Sequence, residues 1–453
     1  MNITLDKQST TDGLIKITLT ESDYQPKVEE KVREYSRKAN IKGFRTGKVP
    51  SGVIKTMFGK SILVEEVNHL ISHSVSDYIK DNNLRILGDP LPNEEKARII
   101  DWDTQKNFEF EFQVGMVEDF TYELSSEVKL KSYLIDVDDK VIDETLTDIK
   151  QRYGNVEYPE TSDITDNLHG EITPAEGGEI KVSYFSISKV EKKEQKNFVG
   201  LGKDTTVEFD INKTFSDENT IAQVLNQPAV DARKAQGKYT LKVTNISRVQ
   251  PATLSQELYD KVFGKDAVKS EEEFIGKIRE TVSENYQREA AHLLEHEIQH
   301  YYVDHTKINM PDAFLKSWLK ATSEGKVTDD ILEKEFNEYR NSLKWDLIKN
   351  KLAEDLKINV EPSEVKDKAK ALIAEQFGGP AIAQQLGDKF DGIADNYLAG
   401  QDGKGQNFMR LYNQLRHEKI MKAIKETATL TEKKVSLDEF RKIADHHEHG
   451  RMD

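Results

Sequence analysis

Apolar and polar residues alternate in two stretches near the start of the chain. One stretch runs from Ile15 to Leu19 and the other from Phe108 to Val114. Alternation with a period of two predicts half-buried β-strands. Between them, apolar residues recur at every third or fourth position over 26–38 and again over 51–81, which predicts two amphipathic helices. Pro50 stands just before the second helix, where its missing N–H costs nothing.

The pattern changes after this mixed region. Apolar positions over 137–153 predict one amphipathic helix, and the polar stretch 154–178, which contains prolines and a Gly–Gly pair, is interpreted as a linker. From residue 255 onward good helix formers dominate, so this part is predicted to be helical. Between the linker and the helices, three alternating segments predict a small β domain: 180–185, 207–211 and 239–246.

A chain of 453 residues is too long for one ordinary core, and these changes of pattern divide it into successive segments. The expected fold class is α+β and multidomain. The last residues, 445–453, are polar and rich in His and are expected to fray. We place the boundaries at 1–117 for an α+β domain, 118–153 for a connector, 154–249 for the small β domain, 250–435 for the helical domain and 436–453 for a polar tail.

Composition narrows the possible functions. The formal net charge is −16, so the surface as a whole does not suit nucleic acid, and a polyanion could bind only at a local basic patch. The chain has no cysteine, which excludes disulfides and Cys-ligated zinc. No apolar run is long enough to cross a membrane, and the first residues do not resemble a secretory signal. We therefore expect a cytoplasmic protein with neither membranes nor DNA as partners.

A basic loop joins the two N-terminal helices and reads Ala-Asn-Ile-Lys-Gly-Phe-Arg-Thr-Gly-Lys-Val-Pro over 39–50. Its two glycines permit tight turns, and they place Phe44 and Arg45 at the tip. An arginine there can form paired hydrogen bonds to a carboxylate or phosphate. The loop is interpreted either as a solvated basic turn or as a docking device for an acidic surface. Basic residues surround it at Lys27, Lys31, Arg33, Arg37, Lys38, Lys42, Lys48, Lys55 and Lys60.

The pattern Gly-Phe-Arg-x-Gly-x-x-Pro between two helices stands here as Gly43–Pro50 and resembles the ribosome-docking signature of bacterial trigger factor. Three further segments are similar to parts of that family: 114–118, 309–315 and 355–360. Many members have a lysine where Thr46 stands, so one charge of the usual loop is missing. The resemblance implies a ribosome-docking role for Gly43, Phe44, Arg45, Gly47, Lys48 and Pro50.

The resemblance also implies an architecture and a function. We expect an α+β ribosome-binding domain, a small FKBP-like β domain, and a helical C-terminal domain whose arms surround a concave cradle. The implied function is an ATP-independent chaperone that holds unfolded nascent polypeptides. Its ribosomal partners would be a protein and rRNA near the exit tunnel. No Gly-rich phosphate loop precedes a helix, so no cofactor is expected. The sequence leaves open whether the chain forms a homodimer off the ribosome.

Client contacts are expected on the C-terminal helices as a surface of many weak apolar sites. Such a surface must avoid one large apolar patch, because a patch of that kind promotes aggregation. Any single apolar residue there can instead be buried between helices, so the prediction concerns the surface as a whole. Its candidate residues are Phe314, Trp318, Phe377, Phe390, Tyr397 and Met409.

Two patterns point to enzymes as alternatives. FKBP-like domains of the family are prolyl isomerases whose pocket depends on a segment resembling Ile-Pro-Gly-Phe-Glu. Only the charged stretch Lys189–Asp204, which has no proline, occupies that place here. The pocket segment is thus missing, and we expect a β scaffold with little isomerase activity and no assigned catalytic residue.

The second pattern is His296-Glu-Ile-Gln-His300, which matches the zinc-protease motif His-Glu-x-x-His. The two histidines share a helix face, and His292 and His305 lie near them. The motif is short, however, and neither an extension nor a downstream glutamate helix supplies a third ligand. We therefore interpret it as a His-rich helix face and predict no metal site, with a zinc metallopeptidase as the less favoured alternative.

Overall fold

The structure is a computed structural model, and it describes residues 1–45, 47–228, 234–376, 388–400 and 403–449. The chain forms two compact units, and each is built from separate segments. The first unit combines 1–132 with 293–431, and the second combines 133–292 with 432–453. The chain therefore leaves the first unit and later returns to it.

The N-terminal part of the first unit is a four-stranded antiparallel sheet covered by two helices. The strands follow the order β1–β2–β4–β3 across the sheet. In the register of β2 and β4, Ile17 lies opposite Phe110 and Leu19 opposite Phe108, and all four side chains are buried. The elements are β1 Asn2–Lys7, β2 Asp12–Leu19, α1 Glu21–Lys38, α2 Ser51–Asp81, β3 Ile86–Pro92, α3 Glu94–Arg98 and β4 Phe108–Met116.

Helix α1 begins five residues earlier than the predicted start at residue 26. Thr20 and Asp23 form a capping box in which each side chain satisfies an amide of the other's segment. The helix then continues through Pro26, which lacks the N–H that an interior position would donate. The helix therefore begins directly after its cap at Thr20, and Pro26 lies inside it. Helix α2 has the predicted bounds of 51–81.

The remainder of the first unit is helical and packs around an apolar core. Tyr302, Leu315, Ile348 and Leu352 are almost completely buried in it. The elements after the second unit's segment are α8 Glu271–His305, which continues into the first unit from residue 293, α9 Asp312–Thr322, α10 Asp329–Asp355, α11 Pro362–Gln376, α12 Asp388–Ala399 and α13 Gln406–Thr427.

Helix α9 packs directly on strands β3 and β4 through two glycines. A Cβ atom placed on Gly115 would lie 2.4 Å from Cδ1 of Phe314. One placed on Gly88, whose φ is +70°, would lie 2.8 Å from the Trp318 indole. Contacts that close require residues without side chains. The glycines therefore allow α9 to approach the sheet.

The second unit contains the predicted small β domain and the connector helix. Strands β6, β10, β7 and β8 are neighbours in that order, and β9 also pairs with β10. The connector helix packs through Ile142 and Leu146 on Phe274 of helix α8. The elements are β5 Lys129–Ile135, which begins in the first unit, α4 Asp139–Arg152, β6 Asn155–Glu157, β7 Asn167–Pro174, β8 Lys181–Ser186, β9 Thr206–Asp210, α5 Ile211–Thr214, α6 Glu218–Leu225, β10 Lys238–Gln250 and α7 Gln256–Phe263.

The interpretation of 154–178 as a linker is wrong, because β7 lies within it and pairs with both β8 and β10. Leu168 and Ile172 point inward and are buried, while His169 and Glu171 occupy the other face. The strand was hidden because polar outward residues and Pro174 dominate its composition. An interior strand of this sheet thus has the composition of a loop.

The C-terminal segment differs from the purely helical prediction after 255. Strand β11, Thr429–Val435, pairs with β5, and helix α14 follows over Leu437–His449. Phe440 is 3% exposed and its ring contacts Tyr133. A helix with a buried aromatic residue is part of the fold and not a loose end.

Candidate functional site

The loop between α1 and α2 is held to the first unit at both ends. Val49 is 2% exposed, and its carbonyl accepts a hydrogen bond from the Ser36 hydroxyl on α1. Ile41 is half-buried against the same core. Pro50 then serves as the N-cap of α2, and its carbonyl accepts the Val53 amide at 3.0 Å. These contacts fix where the tip of the loop lies.

The two glycines shape the turns between these anchors. Gly43 has a φ of +97° and Gly47 a φ of +78°, both in the left-handed region. A Cβ atom on Gly47 would lie 3.3 Å from the Arg37 carbonyl oxygen. The amide of Phe44 donates to Ile41 O at 3.0 Å, and the amide of Lys48 donates to Arg45 O at 2.9 Å. The loop therefore consists of two hydrogen-bonded turns in succession.

The tip presents an aromatic and a cationic side chain to solvent. Phe44 is 40% exposed, and Arg45, Lys48 and Pro50 are also exposed. Thr46 lies outside the described residues. An anchored loop with an exposed phenylalanine beside an arginine can offer an apolar contact and a bidentate hydrogen-bonding group together.

The basic residues around the loop separate into paired and unpaired groups. Lys38, on the last turn of α1, bonds to Glu34 at 2.6 Å, and this hydrogen bond holds the pKa of Glu34 below its ordinary value. Lys31 lies 3.6 Å from Glu66, which raises the pKa of Lys31. Among the described residues, Arg37, Lys42, Arg45 and Lys48 at the loop and Lys27 on α1 have no ion-pair partner. Arg33, Lys38, Lys55 and Lys60 each have one, and Lys31 has two. The uncompensated positive charge is thus concentrated at the loop.

Comparison with known families matches three successive segments of the chain. The family model described as "Bacterial trigger factor protein (TF)" matches 1–149. Those described as "Probable trigger factor, FKBP-like domain" and "Probable trigger factor, C-terminal domain" match 156–251 and 290–444. The three models of one family follow one another along nearly the whole chain. This chain belongs to the trigger factor family.

Individual relatives carry the same name. The trigger factor of Pelagibacter ubique is 21% identical over 99% of this chain and 90% of its own length. That of Rickettsia massiliae is 23% identical, and the match spans 58% of each chain. That of Azospirillum brasilense is 30% identical over 36% of this chain and 35% of its own. A solved structure of the trigger factor chaperone, described in terms of promiscuous substrate recognition, is 16% identical, with a TM-score of 0.41 over 94% of this chain and 100% of that one.

Family membership supports the α+β multidomain fold with an FKBP-like domain and a helical C-terminal domain. It also supports the function of a ribosome-associated chaperone that takes part in protein folding. Within the part of the chain that the structure describes, no helix is both long and apolar enough to span a bilayer.

The six predicted client-contact residues of this chain differ in how far the structure exposes them. Phe314 and Phe390 are buried, at 4% and 6% exposure, and each packs in an apolar core. Trp318 is partly buried against Gly88, and Tyr397 is partly buried between two small cores. Met409 is 52% exposed. Phe377 lies outside the described residues.

The FKBP-like domain encloses its four phenylalanines in a core, whereas its Tyr158 and Tyr184 are 67% and 43% exposed. Phe198, which belongs to the stretch 189–204, is completely buried, and its ring packs edge-on against Phe185 at 5.6 Å and Phe209 at 5.4 Å. Phe215 completes the cluster and is 1% exposed. A prolyl isomerase needs aromatic rings that a proline can reach from solvent. These four rings fill the interior of the domain instead.

The His-Glu-x-x-His segment lies on helix α8, whose Ile298 is fully buried. One turn away, Glu295 accepts a hydrogen bond from Lys425 at 3.2 Å and lies 3.6 Å from His417. These contacts join α8 to α13 within the first unit. Among the residues that the structure describes, no group of three or more acidic or His side chains could hold a metal ion.

Sequence reasoning did not identify two exposed apolar side chains on α2, the helix that follows the Gly43–Pro50 loop. Met57 and Phe58 on the first turns of α2 are 55% and 37% exposed, and the Phe58 ring lies 6.3 Å from that of Tyr35. Both residues fit the helical periodicity of α2, so the sequence alone did not separate them from its core-facing residues. The contact from Ser36 to Val49 leaves no sequence signal, because it depends on how the loop folds back.

Proposed function

We propose that this chain docks on the ribosome through the Gly43–Pro50 loop and holds emerging polypeptides without ATP. The observation that carries the proposal is the anchored loop whose exposed Phe44 and Arg45 stand among unpaired cations. Phe44 would enter an apolar depression on a ribosomal protein near the tunnel exit. Arg45 and Lys48 would pair with carboxylates or rRNA phosphates.

A co-sedimentation assay with ribosomes tests the loop. The double variant Phe44→Ala/Arg45→Ala should lose binding, and wild-type binding should weaken as salt rises because cations at the interface displace counterions. Arg33→Ala is the matched control, since Arg33 is exposed on α1 and already paired with Glu29. It should bind like wild type. Undiminished binding by the double variant would contradict the assignment of the loop.

Client contacts are proposed for the helices after residue 355, as a set of separate apolar side chains. Leu356, Leu372, Ile393 and Met409 are exposed by 37–52%, and charged residues surround them. Separate sites of this kind bind weakly, which lets a client leave without an energy source. Each contact of about 1 kcal/mol changes affinity by less than tenfold.

The test of this surface uses the full chain. Ile393→Asp/Met409→Asp should suppress aggregation of an unfolded client less well than wild type while ribosome binding is unchanged. Ile331→Asp removes an apolar residue of similar exposure, 36%, from α10 and should behave like wild type. Equal loss in all variants would show that the contact surface is not confined to these helices.

The isomerase alternative is proposed to be weak in this chain. Its support is the burial of Phe185, Phe198, Phe209 and Phe215 together with the missing pocket segment. A proline-limited refolding assay measures it, since uncatalysed isomerisation takes tens to hundreds of seconds. Large catalytic acceleration by the full chain would contradict the proposal.

The remaining partners follow from the same picture. We place the chain in the cytoplasm, where ribosomes and nascent chains meet it, and propose neither DNA nor a membrane as a partner. The net charge of −16 supports a contact restricted to the basic loop. A homodimer off the ribosome would use exposed apolar surface, and sedimentation velocity over a concentration series measures it.

A further inference from the structure

A groove of about 410 Å³ runs beside the docking loop on the outer face of α1. Its lining comes from Lys31, Glu34, Tyr35, Lys38 and Ala39, which recur at helical spacing along one side of the helix. We call it the Tyr35 groove. The half-buried Tyr35 ring and the Ala39 methyl group supply its apolar surface, and the three charged residues supply its rim.

The Tyr35 groove is continuous with the loop. Ala39 donates its amide to Tyr35 O at 2.7 Å and is the C-cap from which the loop departs. Two residues on, Ile41 lies in the turn that positions Phe44. On the other side, the 37% exposed Phe58 ring stands beside Tyr35. An apolar strip therefore runs from Phe58 on α2 to the loop tip.

The groove end of this strip and the loop tip differ in charge. The cations at the tip have no ion-pair partners among the described residues, which suits an anionic partner. Glu34 stands on the rim of the Tyr35 groove, and a charged groove of about 320 Å³ continues along α1 with Glu30, Glu65 and Glu66 in its lining. The two grooves together hold four carboxylates and three lysines, and Lys31 and Lys38 already pair with these carboxylates. A phosphate backbone would therefore meet less uncompensated positive charge there than at the loop tip. The groove thus favours a protein side chain over RNA.

We propose that the Tyr35 groove receives an apolar side chain of the ribosomal protein that accepts the Gly43–Pro50 loop, with an acidic neighbour of that side chain pairing with Lys38. The inference rests on the proposed docking function and extends its interface beyond the loop. Lys38 is 76% exposed, and among the residues that the structure describes it pairs only with Glu34 of its own helix, so it can exchange this partner at little cost. The apolar strip adds contact area next to Phe44.

The affinity test compares full-length variants for ribosomes at several salt concentrations. Phe58→Ala removes an exposed aromatic ring and should weaken binding about threefold to tenfold, a factor expected from the ring area that docking would bury. The factor should be similar at each salt concentration, because no charge changes. Ile99→Ala is the control: Ile99 is 78% exposed in the same domain but lies outside the groove. It should bind like wild type. Ala39→Glu, which blocks the groove without removing a ring, should weaken binding at least as much.

Two results separate this inference from the loop assignment. Wild-type affinity in both Phe58→Ala and Ala39→Glu, with binding lost in Phe44→Ala/Arg45→Ala, would overturn the Tyr35 groove and leave the loop intact. Undiminished binding in all three would overturn both.

Photo-crosslinking identifies the occupant. A photoreactive phenylalanine analogue at position 58 should link to a ribosomal protein, and the same analogue at position 44 should link to that same protein. An adduct to rRNA or to a second copy of this chain from position 58 would overturn the proposal.

Discussion

The contact between Gly115 and Phe314 gives a sharp test of how the first unit is held together. In the structure a methyl group on Gly115 would lie 2.4 Å from Cδ1 and 3.0 Å from Cε1 of the Phe314 ring, and 2.8 Å from Pro311 Cγ. Carbon atoms in contact prefer about 3.5–4.0 Å. The Gly115→Ala substitution must therefore move the ring, or the whole of α9, by about 1 Å or more.

The magnitude follows from the burial of the ring. Phe314 is 4% exposed in the main core, so it has no free space to enter. Overpacking of this kind costs about 1–3 kcal/mol of unfolding free energy. Phe314→Ala alone should cost about 3–5 kcal/mol because it leaves a cavity. In the double variant the alanine methyl at 115 occupies part of that cavity, so its cost should fall below the sum of the two by about 1–2 kcal/mol.

Urea unfolding followed by tryptophan fluorescence measures this double-mutant cycle in the full chain. The chain has three tryptophans, Trp102, Trp318 and Trp345, and all three belong to the first unit. The signal therefore reports that unit alone, although the protein has several domains. Gly59→Ala is the control, because its added methyl meets nothing closer than 3.9 Å in the middle of α2. It should stabilise the unit by about 0.5–1 kcal/mol.

Strict additivity of the two substitutions would refute the reasoning, because it would mean that the ring and the glycine do not share space. The reasoning would be refuted more strongly if Phe314→Ala left the free energy of unfolding unchanged and reduced client binding. That result would support the sequence-based prediction that Phe314 contacts clients.

Three further outcomes follow from local geometry. Gly47→Ala should strain the loop by about 1–2 kcal/mol, since an L-residue disfavours positive φ, and should weaken ribosome co-sedimentation, whereas Gly52→Ala on α2 should not. The N-terminal ammonium and Thr20 hold the pKa of Asp23 at about 2, so its stabilising effect is present above the unfolded pKa of about 3.9 and is lost as pH falls toward 2. The stability difference between wild type and Asp23→Asn should accordingly shrink over that interval in acid unfolding. Asp166→Ala removes a buried carboxylate that accepts two bonds from Arg248 at 2.7 and 2.8 Å and should cost about 3–5 kcal/mol, measured as faster hydrogen exchange in β7 and β10.

Periodicity predicted the elements whose hydrophobic pattern is local. The bounds of α2 and the strands around Ile17 and Phe110 follow from spacing alone, because one face of each is buried. The Gly43–Pro50 loop could also be recognised, because its glycines and its aromatic tip are close neighbours in the sequence. Its docking role stays a prediction. Strand β7 was missed because its partners β8 and β10, not its own composition, hold it in the sheet.

The sequence did not reveal which apolar residues face the core. It also did not reveal which distant segments pack together. In the sequence, Phe314, Phe390 and Met409 are all large apolar residues in helical segments, yet two of them are buried and one is exposed. The difference depends on what packs against each residue, such as Gly115 for Phe314. Nor does any local pattern show that 1–132 and 293–431 form one unit.

Because the first unit is built from two distant segments, it cannot be completed until translation has reached the second one. Leu87 and Val117 are buried in a core with residues of α9 and α10, and Phe314 follows Gly115 by about 200 positions. At roughly 5–20 residues per second, translation of that interval takes on the order of 10–40 s. Throughout that time the glycine-bearing surface of β3 and β4 lacks helix α9, which packs on it in the finished unit. During its own synthesis this chain therefore passes through an incomplete state, in which an apolar surface of the first unit is made well before the helices that cover it.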